Sequence, residues 1–208
     1  MPPKNYTIKS SDEYQSIAAP SSGVFKDQKS KFYAFAYPVE SEDEIKIILE
    51  KLRREYHDAR HFCVAYRIGF DGAKWRAADD GEPSGSAGRP ILGQIDSASL
   101  SDVVVIVVRY FGGIKLGVPG LIAAYKEASR AALDSAEIIK KIAGKNYRIE
   151  FGFESMPDLM SILKDMSLSY RDMSMDLRCS MVVRVRLALE QEFLERINKI
   201  PNFKYEII

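Results

Sequence analysis

The chain has 208 residues, with 30 Lys and Arg against 29 Asp and Glu and a formal net charge of +1. That balance gives no global basic field to hold nucleic acid nonspecifically, so no DNA binding is expected, although a local basic patch stays open. Two distant cysteines make no secreted disulfide framework, the opening Met-Pro-Pro-Lys-Asn-Tyr-Thr is too polar for a signal peptide, and no run of about eighteen apolar residues exists to span a membrane, so a cytoplasmic protein is expected.

Tyr6–Lys9 alternates as a short strand. Val24–Lys26 and Phe32–Val39 read as a strand pair around a polar Asp27–Lys31 segment, the second with both faces apolar. Ser41 to Tyr56 is a helix. Ser41 caps it, Glu44 completes a capping box, and Ile45, Ile48, Leu49 and Leu52 form its apolar stripe. Phe62–Ile68 is a strand, Phe70–Ala73 a turn and Lys74–Ala78 a return strand. A helix around Pro90–Ala98 follows an acidic, glycine-rich loop. Val103–Val108 is a run of β-branched residues suited to a strand buried on both faces. A second glycine-rich loop leads to a long helix from near Pro119, which suits a first helical turn.

From Lys145 the pattern restarts as strand Tyr147–Phe153, helix Pro157–Met166, strands Leu168–Met175 and Arg178–Leu189, helix Gln191–Ile200 and strand Phe203–Ile208. This βαββαβ order is the ferredoxin-like arrangement. With Gly144 as the break, an α+β protein of two domains is expected, residues 1–142 and 143–208.

The candidate chemistry lies in the two glycine-rich loops, since loops carried on a rigid frame often hold function. In the second, Arg109 and Lys115 flank Gly112, Gly113, Gly117 and Gly120 ahead of a helix start. Free N–H groups there, with Lys115 beside them, make an anion or RNA-backbone site. The spacing fits neither a dinucleotide fingerprint nor a P-loop, so a ligand-free strand-to-helix turn is the competing reading. Asp79, Asp80 and Glu82 of the first loop could hold magnesium or act as acid and base. Carboxylates in such turns more often accept from local N–H groups or pair with Arg76, Arg89 or Arg109. His57 and His61 stand four apart, close to the zincin pattern, but Asp58 replaces its glutamate and the pair straddles a helix end and a strand start, so zinc is not expected, and Cys63 reads as a packed strand residue. No metal, cofactor or catalytic residue is expected. Lys26, Lys29 and Lys31 beside Phe32 suit RNA contact, with a solvated hairpin as the alternative. Trp75 and Met156, Met160, Met166, Met173, Met175 and Met181 read as core. Arg184 and Arg186 share a strand face that could meet acidic helices or a partner protein.

Asp-Asp-Gly-Glu-Pro-Ser-Gly followed by Arg-Tyr-Phe-Gly-Gly-x-Lys-Leu-Gly closely resembles the signature of the IMPACT family, and the resemblance extends from about Tyr6 to the end. Pro119 stands where that family usually has glycine, and Gln28-Lys29 stand where it has Lys-Gly. The resemblance implies an N-terminal domain like a small-subunit ribosomal protein and domain IV of elongation factor G. Its βαβ crossover would be left-handed, against the general right-handed rule. The ferredoxin-like domain would then correspond to that factor's domain V. It also implies a role associated with translation and its regulation. Together with the residue reading, which finds no convincing nucleophile or base, the leading expectation is a noncatalytic protein that contacts the ribosome or structured RNA, through Arg109, Gly112, Gly113, Lys115, Gly117, Gly120, Lys29, Lys31 and Arg89. Two alternatives stand: an enzyme for a phosphorylated small molecule in the cleft between the glycine loops, and a protein-interaction module using the second domain's sheet.

Overall fold

A computed structural model describes residues 12–176 and 178–208 of the protein, and the expected strand Tyr6–Lys9 lies outside them. The chain is α+β and divides into two compact units, one of Glu13–Lys141 and one of Asp12 with Ile142–Ile208. Among the described residues no helix is long and apolar enough to cross a membrane.

The first unit contains β1 (Glu13–Ile17), β2 (Ser21–Asp27), β3 (Ser30–Pro38), α1 (Glu42–Glu55), β4 (His61–Ile68) and β5 (Lys74–Ala78). It continues with α2 (Gly88–Ser97), β6 (Val103–Tyr110), α3 (Gly117–Asp134) and β7 (Ile138–Ile142). Five strands form one antiparallel sheet in the order β2-β3-β6-β4-β5. The β-branched run explains why β6 is central. Its side chains alternate between faces, and both faces are apolar. Val103, Val105 and Val107 pack with Ile91, Ile95, Ala124 and Tyr125 of α2 and α3. Val104, Ile106 and Val108 pack with Ile45 and Leu52 of α1. The strand β3 splits likewise, Phe32, Ala34 and Ala36 toward α3 and Tyr33, Phe35 and Tyr37 toward α1. Ser41 caps α1 by accepting from the Glu44 N–H at 3.3 Å, while the Glu44 carboxylate accepts from the Glu40 N–H at 3.0 Å.

Several expectations are corrected. β1 and β7 had no counterpart in the sequence reading, yet they pair as a two-stranded sheet. They are held by Asp102, which accepts from the Tyr14 hydroxyl and pairs with Lys141 at 3.0 Å. Burial, then the bond to Asp102, pushes the Tyr14 phenol up to about 12. The polar Asp27–Lys31 segment is mostly strand, and the turn is Gln28-Lys29 alone. Phe32 is fully buried against Tyr125, so it offers no stacking face. Trp75 is 40% exposed on the edge strand β5 and is not core.

The second unit contains β8 (Gly144–Phe151), α4 (Met156–Asp165), β9 (Tyr170–Met175), β10 (Cys179–Arg186), α5 (Glu190–Ile197) and β11 (Lys204–Ile207). Its sheet runs β11-β8-β10-β9, antiparallel throughout. Tyr147, Ile149, Phe151, Met181, Val183 and Val185 pack with Leu159, Leu163, Phe193 and Ile197 of α4 and α5. Gly144, expected as a break, opens β8. A Cβ there would lie 2.7 Å from the Val185 carbonyl oxygen. The strand expected to reach Leu189 ends at Arg186 in a 3-10 turn, Leu187–Leu189. Met175 is exposed rather than core. Arg186 pairs through two nitrogens with buried Asp12, at 2.8 and 3.0 Å, and this pairing holds the Asp12 carboxyl below its usual range.

The β2–β3 turn places Gln28 at φ 40° and Lys29 at φ 67°. Two positive φ values are what a two-residue hairpin of this twist needs, and glycine normally supplies the second. A side chain in that region costs about 1–2 kcal/mol, partly offset by the greater unfolded freedom of glycine, about 0.5–1 kcal/mol. Lys29→Gly should therefore stabilise the protein by about 0.5–1 kcal/mol in urea unfolding.

Candidate functional site

The acidic loop joins β5 to α2 and begins with a tight turn. The Glu82 N–H donates to the Asp79 carbonyl at 3.0 Å, with Asp80 at φ 43° and Gly81 at φ 87°. Asp-Gly is the favoured pair for a turn with two positive φ values. All three carboxylates face protein donors. Asp79 accepts from the N–H groups of Gly85 at 2.8 Å, Ala87 at 3.0 Å and Gly88 at 2.8 Å, so it caps α2 from outside the helix. Burial pushes the Asp79 carboxyl up, but these three donors outweigh it and hold the group below its ordinary value of 3.8. Asp80 accepts from Arg53 at 3.0 Å and from the Phe62 N–H at 2.7 Å, and its carbonyl lies 2.9 Å from His61 Nδ1.

Glu82 turns inward. Its carboxylate takes Arg109 Nη1 at 2.6 Å and the Tyr125 hydroxyl at 2.8 Å, and the two charged side chains are only 4% and 7% exposed. Strand alternation explains the position of Arg109. It follows Val103, Val105 and Val107 on the face toward α3, where its guanidinium lies over the Phe32 ring at 5.4 Å. The pairing with Glu82 was among the alternatives read from sequence. It joins the two glycine loops to each other and to α3. Arg109 Nε is buried without a hydrogen-bond partner.

Cys63 lies beside this cluster, 3.0 Å from the Asp79 carbonyl and 3.3 Å from the Tyr125 hydroxyl. Burial pushes its thiol far up, and burial does the same to the Tyr125 phenol. Both stay neutral at physiological pH, which removes a thiolate nucleophile. Among the described residues no group of three His, Cys, Asp or Glu is placed to hold a metal ion.

The second loop is shaped by close approach. The Gly112 N–H donates to Ser30 Oγ at 3.1 Å, and a Cβ on Gly112 would lie 2.1 Å from the Lys29 carbonyl carbon. Gly113 and Gly117 take φ 85° and 71°, and Gly120 abuts Leu116 within the first turns of α3. Leu116, at the N-cap of α3, provides no side-chain cap. Lys115 is exposed.

The register brings the remaining candidates to one end of the sheet. Lys31 stands opposite Tyr110 at the end of β6, and Lys29 is at the hairpin tip that Gly112 touches. β5 and β6 are both antiparallel to β4, so α2, carrying Arg89, and α3 begin at this same end. Lys29, Lys31, Lys115 and Arg89 are all exposed and have no ion pair among the described residues. Sequence reasoning missed Phe111, Ile114 and Val118, which are 55%, 46% and 46% exposed on the second loop and the first turn of α3. The available signal was an aromatic placed after the alternation of β6 and directly before two glycines.

Two outcomes follow for the acidic loop. Removing either Glu82 or Arg109 leaves its partner charged and buried, so Glu82→Ala and Arg109→Ala should each cost about 3–5 kcal/mol. A double-mutant cycle by urea unfolding should give a coupling of at least about 1 kcal/mol. Asp79, whose carboxyl is depressed in the fold, adds stability that is full above its unfolded value and is lost as pH falls through the lower folded one. Acid unfolding of Asp79→Asn should lack that limb below about pH 4.

Comparison with known proteins agrees with the motifs. Residues 28–133, just over half of the chain, match the family model described as the Impact N-terminal domain. The chain is 33% identical over 148 residues to the IMPACT family member YigZ of Escherichia coli (strain K12), covering 70% of this chain and 72% of that protein. It is 35% identical over 136 residues to YvyE of Bacillus subtilis (strain 168), covering 65% and 58%. Against Protein IMPACT of Mus musculus it is 32% identical over 126 residues, 56% of this chain and 39% of that one. A crystal structure described only as that of a hypothetical protein superposes with a TM-score of 0.70 at 27% identity, covering 94% of this chain and 97% of that one. The chain belongs to the IMPACT family.

Proposed function

We propose that the protein is a noncatalytic, cytoplasmic binding protein associated with translation, which contacts the ribosome or structured RNA through one end of its first sheet. The observation that carries this is the division of charge at that end. Asp79, Asp80 and Glu82 spend their charge on internal donors, while Lys29, Lys31, Lys115 and Arg89 stay exposed and unpaired among the described residues. The uncapped start of α3 adds N–H donors of the kind that hold phosphate. Exposed Phe111 adds a ring on which an unpaired base stacks. Burial holds Cys63 and Tyr125 neutral, which counts against a cysteine nucleophile at this end.

Family membership supports the finer fold reading as well. The element order of the second unit, its sheet order β11-β8-β10-β9 and its two helices packed on one face support a ferredoxin-like domain over residues 143–208. The first, residues 1–142, is then the domain that resembles domain IV of elongation factor G, with a left-handed crossover from β3 through α1 to β4.

Co-sedimentation with ribosomes across a salt series tests the function. Binding should weaken steeply with salt, and Lys115→Ala should reduce the log–log salt slope by about one. Its melting temperature should stay that of the parent, because Lys115 is exposed and outside the Glu82 clamp. Salt-independent sedimentation, or none, rejects the reading.

A further inference from the structure

The α1 face of the first sheet holds a second feature, separate from the basic end. Between α1 and the edge strand β5 lies a cavity of about 520 Å³, within the usual range for small-molecule sites. Its apolar lining comes from Phe62 and Val64 of β4, Ala78 of β5, and Ile45 and Leu49 of α1. Ion pairs close both ends. Glu42 at the start of α1 reaches Lys74 of β5 at 2.7 Å, and Arg53 near its end reaches Asp80 at 3.0 Å. The Tyr66 hydroxyl also donates to Glu42. Lys74, then Tyr66, hold the Glu42 carboxyl below its usual range, so it stays ionised. The Arg53 guanidinium lies over the Phe62 ring at 4.6 Å, placing a flat cation beside the apolar floor.

Every other charge facing the cavity is paired. Lys46 pairs with Asp43 at 2.8 Å, Glu42 with Lys74, and Arg53 with Asp80. Arg76 of β5 remains, opposite Tyr66 in the register, lining the cavity and without an ion pair among the described residues. An apolar slot beside one uncommitted guanidinium selects a ligand with the complementary parts. We infer that this groove binds a small amphipathic organic anion, its planar apolar body on Phe62, Val64 and Ala78 and its carboxylate or phosphate on Arg76.

The aromatic sulfonate 8-anilinonaphthalene-1-sulfonate tests this on the full chain by fluorescence titration. One saturable site is expected, at least tenfold weaker for the uncharged N-phenyl-1-naphthylamine. Arg76→Glu, at an exposed position, should weaken it at least tenfold with an unchanged melting temperature. Ala78→Leu, which fills the floor, should abolish it, and Phe111→Ser should leave it intact. Competition by 1-naphthoate against 1-naphthyl phosphate then decides which headgroup the site prefers. Absence of saturable binding overturns the proposal, and so does binding that Arg76→Glu leaves unchanged. If Ala78→Leu fails to fold, Arg76→Glu decides alone. None of these readouts involves ribosomes, so this proposal and the translation reading stand or fall separately.

Discussion

Burial of β6 on both faces is the constraint from which the rest of the first unit follows. Six consecutive Val and Ile residues, all fully buried, need apolar cover above and below, and α1 on one side with α2 and α3 on the other supply it. The same alternation continues to Arg109, which must enter the face toward α3. A charge placed there is tolerable only with a partner. Glu82 provides it, and to do so the acidic loop must fold inward over the end of the strand. A strand pattern thus determines the conformation of a loop distant in sequence.

Much of the architecture was legible because periodicity and caps are local signals. The capping serine of α1, the limits of β5 and the buried run in β6 needed nothing beyond neighbouring residues. What was not legible depended on partners far along the chain. β1 reads Glu-Tyr-Gln-Ser-Ile and β7 Ile-Ile-Lys-Lys-Ile, neither with an apolar alternation, and they pair with each other across the whole unit. Trp75 was misjudged because aromatic content says nothing of a strand's place at a sheet edge. Gly144 was read as a break, although it is small because β10 passes close to it. In the loops, sequence identified the charged residues but not which pointed inward. That depended on which face of β6 the helices α2 and α3 cover, which buries Arg109, whereas Lys115 lies beyond the strand and stays exposed.

The two glycine loops serve opposite ends. The acidic one is satisfied by the fold itself, and the second turns Lys115, Phe111 and Ile114 outward. The basic surface at this end of the sheet stays uncompensated by the acidic loop because Asp79, Asp80 and Glu82 are consumed internally. The groove beside β5 has a different origin: one helix is too narrow to cover five strands, and the gap between it and the edge strand β5 is bridged only by ion pairs. No sequence motif marks such a gap, because its lining residues are individually ordinary.

The way Asp79 holds α2 has a consequence for how this loop can change over evolutionary time. Its three donors are backbone groups of Gly85, Ala87 and Gly88, and side chains between them play no part in the contact. Pro83 and Ser84, both exposed, contribute no side chain to it. The number of residues between Asp79 and Gly88 is not free. One insertion or deletion would carry the donors out of register with the carboxylate and leave the start of the helix uncapped, so for this contact the segment acts as a ruler, set by its length.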